Sequence, residues 1–93
     1  MKFIVKDKLY DTEKSEKVIE YQRKFQDKFM TFLCFYRKTV LYKTDKENWF
    51  SVSNIDNGGH IIYEETIDKA KEIIRGLNAV DTYMKYFGPL TEA

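Results

Sequence analysis

Cys34 and His60 are the only cysteine and the only histidine in this chain. A thiol and an imidazole in contact could form a nucleophile–base pair. Cys34, however, lies in Leu33-Cys34-Phe35-Tyr36, which reads as a buried strand, and a buried thiol is usually inert. One histidine and one distant cysteine cannot supply the three or four clustered ligands of a zinc site. Glu64, Glu65 and Asp68 could offer oxygens to a hard cation. The commoner role for acids at such a place is to face the positive end of the helix that follows. Gly58-Gly59 lacks the spacing of a phosphate-binding loop and reads as a chain reversal ahead of His60. No catalytic, metal or cofactor site is expected, and the chain reads as a non-enzyme.

Residues that could grip a partner are better represented. Residues 29–50 mix aromatic and basic side chains. The pairs Arg23-Lys24 and Arg37-Lys38 form the strongest basic patch, and a strand there would bring Lys38, Tyr42 and Lys43 close to it. Trp49 has two readings: a core tryptophan on a hairpin, or an exposed anchor beside Lys43 and Lys46, where an aromatic next to cations suits a base or a protein contact. The candidate partner-binding set is therefore Arg23, Lys24, Arg37, Lys38, Tyr42, Lys43, Lys46 and Trp49. The formal net charge of +1 conceals a polarity. Residues 14–46 carry nine basic and four acidic groups, whereas residues 47–93 carry four basic and eight acidic. The middle could meet an anionic partner, or the two regions could neutralise each other in the fold or in a dimer.

These side chains need elements to hold them. Residues 2–10, rich in β-branched and aromatic types, predict a strand, with Asp11-Thr12 as a turn or cap. Residues 13–37 support two readings. Val18, Phe25 and Phe32 recur at helical spacing. Ile19, Tyr21 and Phe25 share one side of a strand, and the run from Phe29 to Tyr36 is strongly β-forming. Two strands are the favoured reading, with a bulge or bend near Arg37-Lys38 to limit the length of the second. Val40-Leu41-Tyr42 and Trp49-Phe50-Ser51-Val52 flank a polar loop and predict a hairpin. Asn57-Gly58-Gly59 breaks the chain before a short strand at Ile61-Ile62-Tyr63. Thr66 caps a helix with Asp68 in its first turn and Ile67, Ala70, Ile73, Ile74 and Leu77 on one face, and Gly76 and Asn78 end it. A second helix carries Val80, Tyr83, Met84 and Phe87 and stops at Gly88-Pro89. Strands first and helices last give an α+β class.

Ninety-three residues make one domain, 1–93, with a small core and little room for a deep pocket. The composition, 43% hydrophobic and 33% charged, belongs to a globular chain. Fifteen aromatics are more than such a core can hide. A single cysteine allows no intrachain disulfide and fits a reducing compartment. Lys6, Asp7 and Lys8 interrupt any signal-peptide apolar region, and no run approaches the ~20 apolar residues of a membrane span. A cytoplasmic protein without a membrane partner is expected.

Three segments carry a family resemblance. LYDTEKSEKVIEY resembles the YDTE-T-A opening of many small proteins carried by phages and mobile elements of Gram-positive bacteria. LYKTDKENWF resembles their LYRTKKGNWF hairpin, and IDKAKEIIRGLNAVDTYMKYFG resembles their closing helices, which end at YFG. The resemblance spans most of the chain in the same order. It implies a small antiparallel β-meander followed by two C-terminal helices. Some proteins of this kind are anti-CRISPR proteins, stoichiometric inhibitors of Cas effectors. Residues 51–59 replace the GEGG segment that often follows the family's hairpin. Lys38-Thr39-Val40 stands where the family has an acidic pair, which reverses the sign of that surface.

The expected function is non-catalytic inhibition of a bacterial defence system by binding a Cas effector or its guide complex. Inhibitors that mimic DNA are strongly acidic, and this chain is not. Binding through the basic face to guide RNA or to an acidic protein surface fits better. The alternatives are a nucleic-acid-binding accessory or regulatory protein and a self-associating protein that dimerises through its excess aromatics.

Overall fold

The computed structural model describes residues 1–30 and 32–93. The first apolar run is not one strand. Lys6 and Asp7 both take positive φ, 50° and 62°. That is the two-residue hairpin geometry whose twist matches its flanking strands. The chain therefore folds back as β1 (Lys2–Val5) and β2 (Lys8–Asp11), an antiparallel pair with Phe3 opposite Tyr10.

The ambiguous middle is strand. β3 (Glu16–Gln26) and β4 (Cys34–Lys43) pair antiparallel, followed by β5 (Trp49–Asn54) and β6 (His60–Glu65). The four make one sheet in chain order, β3-β4-β5-β6, and β1-β2 forms a separate two-stranded sheet. Two helices follow, α1 (Ile67–Gly76) and α2 (Val80–Phe87), completing the expected α+β architecture. The Thr66 hydroxyl accepts from the Lys69 N–H at 3.0 Å and caps α1. Gly88, with φ 91°, ends α2.

Three details differ from the expectations. The strand expected from residue 29 begins at Cys34, because the preceding residues form the β3–β4 turn; Thr31 lies outside the described residues. The irregularity expected near Arg37-Lys38 sits instead between Lys17 and Ile19 in β3. There an extra residue lets both Val18 and Ile19 pack into the same core. On α2, the aromatic residues Tyr83, Tyr86 and Phe87 pack inward, whereas Val80 and Met84 are exposed.

Alternation along β5 divides the core in two. Trp49 joins Leu41, Ala70 and Ile74 beneath the helices. Phe50 and Val52 point the other way and join Tyr10 beneath the β1–β2 hairpin, with Phe3, Val5, Tyr42 and Ile62 around them. The sheet is the middle of three layers, and β5 is buried along all but its last residue.

The hairpin is fastened by a polar contact as well. The Tyr10 hydroxyl donates to Glu64, and Lys6 lies 3.5 Å from the same carboxylate. Burial, then the bond to Glu64, raises the Tyr10 phenol from 10.0 to about 12. The Tyr10 bond, then Lys6 and Lys8, holds the Glu64 carboxyl below its ordinary value. A depressed carboxyl contributes stability above its unfolded pKa and loses it as pH falls through the folded one. The raised phenol contributes fully below pH 10.0 and loses its contribution as pH climbs toward about 12. Melting temperature is thus expected to fall at both extremes, and Tyr10→Phe should flatten both limbs; limbs as steep as wild type would remove this pair as their source.

Candidate interaction surface

The sheet does not end squarely. The last β4–β5 pair is Thr39 with Ser53. Beyond it β4 pairs with β3 alone, from Lys38 opposite Gln22 to Cys34 opposite Gln26. These five pairs make a two-stranded arm on the order of 17 Å long. Its turn is organised by Asp27, whose carboxylate accepts from the N–H groups of Phe29 at 2.8 Å and Met30 at 2.9 Å. The Met30 bond, then that of Phe29, keeps this carboxyl below its ordinary value. Around this turn the apolar side chains face outward. Phe29 is 95% exposed and Phe32 81%, and Met30 and Leu33 are exposed beside them. Phe35 and Tyr36 continue the apolar surface onto the arm, and Lys24, Lys28 and Lys38 are exposed along it.

The basic residues expected to form one patch are divided by the pleat. Arg23 is paired with Arg37 across the arm, on the helix side of the sheet; Lys24 and Lys38, one residue along, lie on the other side. The helix-side arginines are taken up internally. Side chains of the two outer strands meet across that face. The Arg23 guanidinium donates to Glu65 at 3.1 Å and to the Ser51 hydroxyl at 3.0 Å, and Ser51 donates to the same carboxylate at 2.8 Å. The side chains of Arg23 and Glu65 are only 23% and 4% exposed. Arg23 also covers the Tyr63 ring at 4.3 Å. Arg37 lies 4.8 Å from the centre of Phe35 and 5.7 Å from that of Phe25, and these two rings stack at 5.9 Å. Thr39 and Ser53, fully buried beside them, share a hydrogen bond of 2.7 Å.

Trp49 is 5% exposed and packs on Tyr86 and Phe87 at 5.6 and 5.5 Å, so it is a core residue and not an exposed anchor. Lys43 lies 5.6 Å from the centres of both Trp49 and Tyr86, closing the edge of that core. Tyr42 stacks on Phe50 at 5.0 Å under the hairpin. Lys38 is 3.5 Å from Glu20. Lys24, Lys38 and Lys46 alone of the expected set are exposed, and Lys46 lies in the β4–β5 turn, away from the arm.

The chemistry-bearing residues are also apart. Cys34 is exposed, not buried, because the arm has no layer over it. In register His60 lies two strands over and four residues along from Cys34, on the order of 15 Å away. Glu64 and Glu65 project to opposite faces of β6, one to Tyr10 and the other to Arg23. Among the described residues no three His, Cys, Asp or Glu side chains gather as a metal site, and no helix is long and apolar enough to cross a membrane.

The sequence points to the aromatic run from Phe29 as a contact surface but reads it as strand, and the candidate set leaves out Phe29, Met30, Phe32 and Leu33, the arm's exposed end. The available signal was Asp27: an aspartate whose side chain can bond the backbone two residues on marks a turn. No protein-family model, curated protein or solved structure matches the chain.

Proposed function

We propose that this protein is a non-catalytic binding module that uses the β3–β4 arm to inhibit a bacterial defence system, with a Cas effector or its guide complex as the target. The apolar turn of the arm, crowned by Phe29 and Phe32, carries this reading. Isolated two-stranded arms are marginal in water, and aromatic side chains held out to solvent cost free energy unless something covers them. Aromatic anchors surrounded by lysines suit a pocket on an acidic or nucleic-acid-bearing protein. Size and the family resemblance support the same target class.

The test is co-purification with a panel of Cas effectors, loaded and free of guide RNA, alongside their cleavage activity. Wild type is expected to bind one of them stoichiometrically and stop cleavage. The double variant Phe29→Ser, Phe32→Ser should lose at least ~30-fold in affinity, as a hot spot worth about 2 kcal/mol does. Its stability should stay within about 0.5 kcal/mol of wild type, because neither ring is buried. If every effector remains active and unbound, the reading fails.

Exposed Lys24, Lys28 and Lys38 support a second reading, nucleic-acid binding along the arm. It requires affinity that falls steeply with salt and variants of those lysines that weaken it.

A further inference from the structure

β3 bonds to β4 on one side and to no strand on the other among the described residues. A long free edge invites another strand, and proteins usually defend it with charge. Of the registers centred on residues 20–24, the one about Gln22 alone sets unlike charges opposite each other and brings no like charges together. Two antiparallel copies related by a two-fold axis must pair about a residue facing itself. Centring on Glu20 sets Glu20 against Glu20 and Lys17 against Arg23. Centring on Arg23 or Lys24 sets that cation against itself. Centring on Tyr21 places Arg23 opposite Ile19 and Lys24 opposite Val18. Centring on Gln22 sets Glu20 opposite Lys24 twice, Ile19 opposite Phe25 twice and Tyr21 opposite Arg23 twice.

We infer that two copies of this chain join along β3, antiparallel about Gln22, fusing their four-stranded sheets into one continuous sheet. The seam runs over residues 19–25 and stops short of Val18, where the register of β3 shifts. Glu20 and Lys24 are exposed and lie on the same side of the sheet, so the crossed pairs need no rearrangement of the core. The other free edge, β6, fits less well. It has six residues against eleven in β3. The two-fold axis sends the arms in opposite directions, with Lys28 of the two copies on the order of 40 Å apart. Dimerisation along β3 leaves the apolar turns uncovered and is independent of what they bind.

The experiment is sedimentation equilibrium on wild type, Glu20→Lys, Lys24→Glu and the double exchange Glu20→Lys, Lys24→Glu. Wild type is expected to dimerise. Each single variant replaces two attractions with two repulsions and should weaken the dimer roughly tenfold to a hundredfold, and the double exchange should restore it. The Phe29→Ser, Phe32→Ser variant should dimerise as wild type does. A wild type that stays monomeric at high concentration overturns the inference. So does a dimer that ignores both single reversals, or one that is lost when the apolar turn is changed.

Discussion

Phe50→Ala is expected to lower the unfolding free energy by about 3–5 kcal/mol, read as a shift in the urea midpoint at unchanged slope. Phe50 is fully buried, lies 4.9 Å from the Tyr10 ring and 5.0 Å from that of Tyr42, and belongs to the central buried strand. Its removal leaves a cavity that neither the hairpin nor the sheet can close without losing contact with the other. A domain of this size has only about 5–15 kcal/mol in all, so the variant should be partly unfolded at ordinary temperature. A loss below about 1 kcal/mol would mean that the hairpin is not seated on the sheet as described.

Arg23→Ala should cost about 3 kcal/mol, although the sequence places Arg23 on a binding surface. It leaves the Glu65 carboxylate, 4% exposed, without its cation, and removing one partner of such a pair is worse than removing both. Arg23→Met with Glu65→Gln should therefore be more stable than Arg23→Ala alone, as urea unfolding would measure. If Arg23→Ala unfolds like wild type, the Arg23–Ser51–Glu65 network contributes little. The expectation also bears on binding experiments: weak binding by an Arg23 variant would report on folding, whereas weak binding by a Phe32 variant would report on contact.

Local chemistry made part of this fold legible. The Val40–Tyr42 and Trp49–Val52 segments announced a hairpin as two β-forming runs flanking a polar loop. Thr66 and Gly88 marked helix ends because a hydroxyl cap and a positive φ are properties of single residues. The arm was harder. Val18, Phe25 and Phe32 fall at helical spacing by coincidence: Val18 is at a bulge, Phe25 lies on a strand and Phe32 is at a turn. Arg23 finds Glu65 at a separation of 42 residues, which no local pattern encodes. A guanidinium spent on an internal carboxylate and one offered to a partner look identical in sequence. The same holds for Trp49, whose burial depends on α2 arriving over it.

That arrival has a consequence in time. Sheet order follows chain order, so every strand is made before either helix. During synthesis the β1–β2 hairpin can close over Phe50 as soon as β6 is out, while Trp49 and Leu41 still wait for the roughly twenty residues from Thr66 to Phe87. At ~5–20 residues per second that wait lasts about 1–4 s. For that interval the nascent chain is finished on one side and open on the other.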